Sequence, residues 1–139
     1  MGVVHAAEIR VLEPAAIEDY YAHLLRLDRT SRFPGTDDHA IDAHCLELIA
    51  TGAIVIGAYV KGIMRAGAEI VPDRTARRAE AAITVEDGFH ERGIEREITT
   101  RIIAEARRHH LTHVRVHEQS TSQSHRIPVL ELHTYAANG

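Results

Sequence analysis

The apolar positions along this chain change period several times, and each change marks an element. Ala7 to Leu12 alternates and predicts a first strand. Pro14 follows, with a fixed φ that suits a first helical turn, and Ile17, Tyr20, Tyr21, Leu24 and Leu25 then recur at helical spacing. The segment RFPGT reads as a turn into a second helix. Thr36 caps this helix, and Asp37 and Asp38 favour its positive end. Ile41, Cys45, Leu48 and Ile49 are its expected inward positions, and Gly52 its stop. AIVIGAYV is short and β-branched, so it predicts a second strand, with KGIMRAGAEIV as its hairpin partner across Val60 to Gly62. After the basic turn PDRTARR, Ala79 to Val85 predicts a fourth strand.

From about Arg92 the period becomes helical again, with Ile94, Ile98, Ile102 and Ala106 four apart. Glu91, Glu95 and Glu97 stand at its start and Arg107, Arg108, His109 and His110 at its end, as the helix dipole favours. THVRVHE alternates as a fifth strand and IPVLELHTY reads as a sixth. The order is β, α, α, β, β, β, α, β, β. It predicts an α/β chain with a mixed, mainly antiparallel central sheet flanked by helices.

Composition narrows the class without changing this outline. At 139 residues the chain suits one domain, residues 1–139, able to bury roughly two-thirds of its unfolded surface. The single cysteine, Cys45, excludes an intramolecular disulfide and a multi-thiolate metal site, and its expected role is that of a small apolar residue. A net charge of -4 argues against nucleic acid or an anionic membrane as partner, since both are gripped through basic surplus. MGVVHAAEIRV has neither a basic flank nor a long apolar stretch, and the expectation is a cytoplasmic protein. QSTSQSH, Gln119 to His125, is expected to be a flexible connection.

The strand, turn and helix running from AEAAITV through HERGIE, set in that element order, resemble the GNAT superfamily of acyl-CoA-dependent N-acyltransferases, typically acetyltransferases. The resemblance covers roughly Ile9 to Glu118. In that family a Gln or Arg, two variable residues, a Gly, one variable residue and a Gly or Ala cradle the cofactor pyrophosphate. The matching positions are His90, Glu91, Arg92, Gly93, Ile94 and Glu95. Small residues there let backbone N–H groups at a helix start approach the phosphates. The resemblance therefore implies acetyl-CoA as co-substrate. It would be held by the end of the fourth strand at Thr84 and Val85 and by His90, Arg92, Gly93, Ile94, Glu95 and Arg96.

Two positions depart from the motif. His90 stands for the usual Gln or Arg and keeps a hydrogen-bond donor, whereas Glu95 brings bulk and negative charge to a site for a polyanion. Either the Glu95 carboxylate takes the place of the phosphate at the helix start, or its side chain swings outward and the cradle survives through backbone contacts. Residues 119–139 are also atypical, because the family commonly places there a short helix with a Tyr that protonates the departing thiolate. Tyr135 is the tyrosine available for that role, out of the usual register. As general base the resemblance implies a carboxylate on a central strand, Glu80 first and Glu69 second, each otherwise a solvated strand-end charge.

His109, His110, His113 and His117 invite a metal reading. The break at Leu111-Thr112 separates the first pair from the second, and His113, Arg115 and His117 share a strand face on which a guanidinium would repel a cation. A structural or surface role is expected instead. Three function classes stay open: an N-acetyltransferase acting on a small-molecule amine or a protein amino group, a GNAT-fold binding or regulatory module that has lost the chemistry, and a histidine-based metal or pH-responsive protein. An exposed sixth strand would leave an edge, and a homodimer is expected to cover it. Arg74, Arg77 and Arg78 form the most basic short segment, either a solvated turn or a contact for an acidic partner or the cofactor's 3′-phosphate.

Overall fold

The computed structural model describes residues 7–27, 38–90, 93–118 and 130–133. Strand β1 (Glu8–Leu12) leads through a single 3-10 turn begun by Pro14 into α1 (Ile17–Arg26). Next come α2 (Asp38–Thr51), β2 (Ile54–Val60), β3 (Ile63–Asp73), β4 (Arg78–Val85), α3 (Ile94–Arg108), β5 (His113–Glu118) and β6 (Leu130–His133). The strands form one sheet in sequence order. All neighbours are antiparallel except β4 and β5, whose parallel pairing needs a crossover that α3 supplies. The β2–β3 hairpin closes on Lys61 and Gly62, both at positive φ (53° and 80°), the backbone pattern of a two-residue turn that matches strand twist.

Strand alternation sorts the sheet into two unlike faces. Ala66, Ala68, Ile70, Ala79, Ala81, Ile83, Val85, Val114 and Val116 point to one side, where Ile94, Ile98, Ile102 and Ala106 of α3 complete a dry core. On the other side Tyr20, Leu24 and Leu27 of α1 and Ile41, Cys45 and Leu48 of α2 pack over Val55, Tyr59 and Met64. The intervening β4 and β5 positions, Glu80, Ala82, Thr84, His113, Arg115 and His117, face this second side, which is polar toward β5.

Several expectations shift. The third strand runs on through Pro72 and Asp73 into the supposed turn. The α3 helix begins at Ile94 rather than near Arg92. Ile49 is 40% exposed rather than inward, while His23 of α1, at 0%, takes a place in the helix's buried stripe. The capping position Thr36 with Asp37, the Gln119–His125 connection and Tyr135 lie outside the described residues. Among the described residues no helix is long and apolar enough to cross a membrane.

Ile98 is wholly buried at the centre of the α3 face. Ile98→Ala is expected to lower unfolding free energy by about 2–5 kcal/mol, through lost transfer and an unfilled cavity, as read by urea denaturation. Val71→Ala, at a side chain 44% exposed, should stay well below that loss.

Candidate functional site at the ends of the fourth strand

Past the end of β4 the chain turns at residues 87–88, and Gly93 is the N-cap of α3 in left-handed conformation (φ 74°, ψ 9°). A Cβ there would meet nothing within 4 Å, so it is the backbone angle and not crowding that favours glycine. The first helical bond runs from Glu97 N–H to the Gly93 carbonyl at 3.2 Å. The amides of Ile94, Glu95 and Arg96 accordingly have no acceptor within the helix. Ile94 anchors this turn by burying its side chain, and Arg96 is exposed.

The Glu95 carboxylate approaches His90, with Oε2 3.7 Å from Nδ1, and the two side chains are 31% and 26% exposed. His90 Nε2 is buried with no hydrogen-bond partner. Helix amides with no acceptor in the helix suit an anion's oxygen, whereas the neighbouring Glu95 carboxylate opposes it. Thr84 and Val85, 2% exposed each, commit their side chains elsewhere, the Thr84 hydroxyl to His23 and Val85 to the core. A cofactor contact at these two would be through backbone. Among the described residues β4 pairs with β5 as far as Ile83 and Glu118. Arg92 lies outside the described residues.

Behind this end sits a polar network that periodicity did not announce. Glu86 is 5% exposed. It accepts from His23 Nδ1–H at 2.9 Å, from Arg26 at 3.1 Å and from Arg65 at 3.1 Å, and the Arg65 guanidinium lies over the Phe89 ring at 5.1 Å. His23 Nε2 in turn accepts from the Thr84 hydroxyl at 2.8 Å, which sets its tautomer. Burial pushes Glu86 up, but His23, Arg65 and Arg26 outweigh it and hold the carboxyl below its usual range. Burial lowers His23 against the opposing pull of Glu86, so it is neutral.

Glu69 is the second buried carboxylate, 6% exposed and not the solvated strand-end charge expected of it. Tyr20 donates to it at 2.6 Å and His44 Nε2–H at 2.9 Å, a bond that raises His44. Gly67 makes room for this, because a Cβ there would stand 3.0 Å from Tyr20 Cε1 and 3.2 Å from the Ile56 carbonyl. Burial pushes the Cys45 thiol up to about 11, which leaves it protonated and unreactive, the apolar role expected. The signal for these anchors was present in the sequence: His23 falls in the apolar stripe of α1, and Glu69 interrupts an apolar strand.

Glu80 sits toward the other end of β4 and is 60% exposed at its side chain. His117 of β5 donates Nε2–H to it at 2.8 Å, and Arg115 lies 3.9 Å from its second oxygen. Beside it a hollow of about 200 Å³ is lined by Val71, Asp73, Arg78, Glu80, His113 and Arg115, among others. The basic turn also falls here. Arg77 (φ 57°) spends its side chain on the His110 carbonyl at 3.1 Å while its own carbonyl accepts from Thr112. It therefore clasps two turns together at the end of β4 opposite Gly93, away from any phosphate held there.

No protein-family model and no curated protein matches this sequence. Solved structures are similar to it. The GNAT domain of S. lividans PAT matches at a TM-score of 0.65 and 16% identity, over 83% of this chain and 76% of that one. A GNAT superfamily phosphinothricin acetyltransferase from Sinorhizobium meliloti, in complex with acetyl-CoA, matches at 0.60 and 15%, over 82% and 66%. PaiA N-acetyltransferase from Thermoplasma acidophilum, in complex with coenzyme A, matches at 0.60 and 12%, over 81% and 79%. At these identities the likeness establishes the fold alone.

His23 and His44 make opposite predictions for stability. His23 is depressed below 6.5 in the fold, so the unfolded chain binds the extra proton and stability is lost as pH falls below 6.5. His44 is raised above 6.5, so its contribution is full below that value and lost as pH rises through the raised one. In urea titrations from pH 5 to 8.5, His23→Gln should flatten the acid-side loss relative to the native protein. His44→Gln should flatten the alkaline-side loss.

Proposed function

From the premise that the chain has the GNAT fold, we propose that it is an acetyl-CoA-dependent N-acetyltransferase acting on a small-molecule amine or a protein amino group. The observation that carries this reading is the left-handed Gly93 leading into α3 after β4, with the first three amides of the helix left without an acceptor in it. Together these groups fit a pyrophosphate. Amides of Ile94, Glu95 and Arg96 would take its oxygens, and the helix dipole favours the charge. Acetyl-CoA would supply the activated acyl group as a thioester.

A second reading, a binding module of the same fold without turnover, is favoured by Glu95. At about 5 Å and an effective dielectric near 20, one phosphate charge against this carboxylate costs roughly 3 kcal/mol before screening. Each surviving kcal/mol is about fivefold in affinity. The edge strands β1 and β6 also support a homodimer by strand pairing as the assembly state.

Calorimetry with acetyl-CoA tests the cradle. Native protein is expected to bind weakly, and Glu95→Gly to bind at least about fivefold more tightly despite a helix cost near 1 kcal/mol. Glu95→Gln should recover most of the gain if repulsion dominates and little if bulk does. No binding by any of the three, with the fold intact by circular dichroism, would exclude the transferase reading.

A further inference from the structure

We propose that His117 is the proton acceptor for the incoming amine and that Glu80 is the residue positioning it, an assignment that rests on the acetyl-transfer reading. The sheet register brings this about. Glu69 of β3 pairs with Ala82 of β4, and Ala82 pairs with His117 of β5, so the three occupy one row on the polar face. Neighbouring strands lie roughly 4.8 Å apart, which puts the methyl of Ala82 as a low floor between a carboxylate and an imidazole.

The two carboxylates on this face are not equivalent. Glu69 is buried and takes hydrogen bonds from Tyr20 and His44, so its lone pairs serve to fasten α1 and α2 to the sheet. Glu80 is exposed and accepts from His117 Nε2–H at 2.8 Å, while Arg115 steadies its other oxygen from 3.9 Å. Donation from Nε2 leaves the lone pair of His117 on Nδ1. The His117 side chain is 22% exposed, enough to be reached and little enough to be held.

The pair also stands at a workable distance from the cradle. Glu80 to Val85 covers five residues of β4, roughly 17 Å, a span an extended pantetheine-like arm can follow from phosphates at Gly93. The hollow of about 200 Å³ beside Glu80, which His117 adjoins through its bond to Glu80, has room for a small primary amine, and Asp73 and Glu80 in its wall are balanced by Arg78 and Arg115, which suits the neutral amine. The amine nitrogen forms a bond to the thioester carbonyl carbon and gives one proton to Nδ1 of His117. The C–S bond breaks, the thiolate leaves with the electron pair, and the imidazolium returns its proton to sulfur directly or through solvent. The protein ends unchanged.

Two measurements test this. Nitrogen-15 shifts of the His117 ring should show the Nε2–H tautomer in native protein and lose that preference in Glu80→Gln. A ring found as the Nδ1–H tautomer overturns the assignment without any substrate being known. In thiol-release assays with acetyl-CoA and small primary amines, His117→Gln should lower kcat by about 10²–10⁴-fold while leaving acetyl-CoA affinity within about twofold. It should also abolish the acid limb of the kcat/KM profile, and Glu80→Gln should move that limb while lowering kcat at least about tenfold. Full turnover with an unmoved limb in His117→Gln overturns the proposal alone. Absence of acetyl-CoA binding in the native protein and in both Glu95 variants overturns it together with the transferase reading.

Discussion

Two carboxylates buried between the sheet and its helical cover organise this molecule. A charge in that position is tolerated only if donors surround it, and a layer that loses one donor is strongly penalised. Glu86 draws His23 and Arg26 from α1 and Arg65 from β3, and Glu69 draws Tyr20 from α1 and His44 from α2. Helix α1 thus has two fixed points on the sheet, on strands β3 and at the end of β4. An apolar interface alone would permit sliding. These directional bonds set one register for the helix, and with it the position of the turn that leads to Gly93.

The opposite face works by different physics. There α3 packs a continuous apolar stripe on alanine, isoleucine and valine side chains. Alanines at 66, 68, 79 and 81 let the helix sit close, and the N-terminal turn of α3 is carried to the end of β4 as a consequence of that packing. The dry face delivers the helix start, and the polar face delivers the groups that could act beside it. The β4 strand is common to both, its odd-numbered residues in the core and its even-numbered residues on the working side.

The location of charge separates binding from support. Arg26 and Arg65 are committed to Glu86 and Arg77 to a backbone carbonyl, so these three arginines are structural. Glu95 is the exception that bears on function. It benefits the helix as an anion in the first turn and opposes a polyanion at the same place. Its approach to His90 at 3.7 Å places the two departures from the family motif in contact, a pairing not visible from either residue alone.

Much of the fold was legible in the chain because period carries it. Ile94, Ile98, Ile102 and Ala106 predicted α3, Val60 to Gly62 predicted the hairpin, and the element order with HERGIE pointed to the GNAT fold. Cys45 was read as apolar and is buried, and Glu80 was picked out on β4. Pattern cannot say which polar residues on a strand meet across elements, since this depends on register and on contacts between residues far apart in sequence. The pairing of Glu80 with His117 spans 37 residues and that of His23 with Glu86 spans 63. Only the tertiary structure made Glu69 a buried anchor rather than a solvated charge, turned Arg77 into a clasp, and set His117 beside Glu80, because desolvation and hydrogen-bond geometry are properties of neighbours that the linear sequence does not contain.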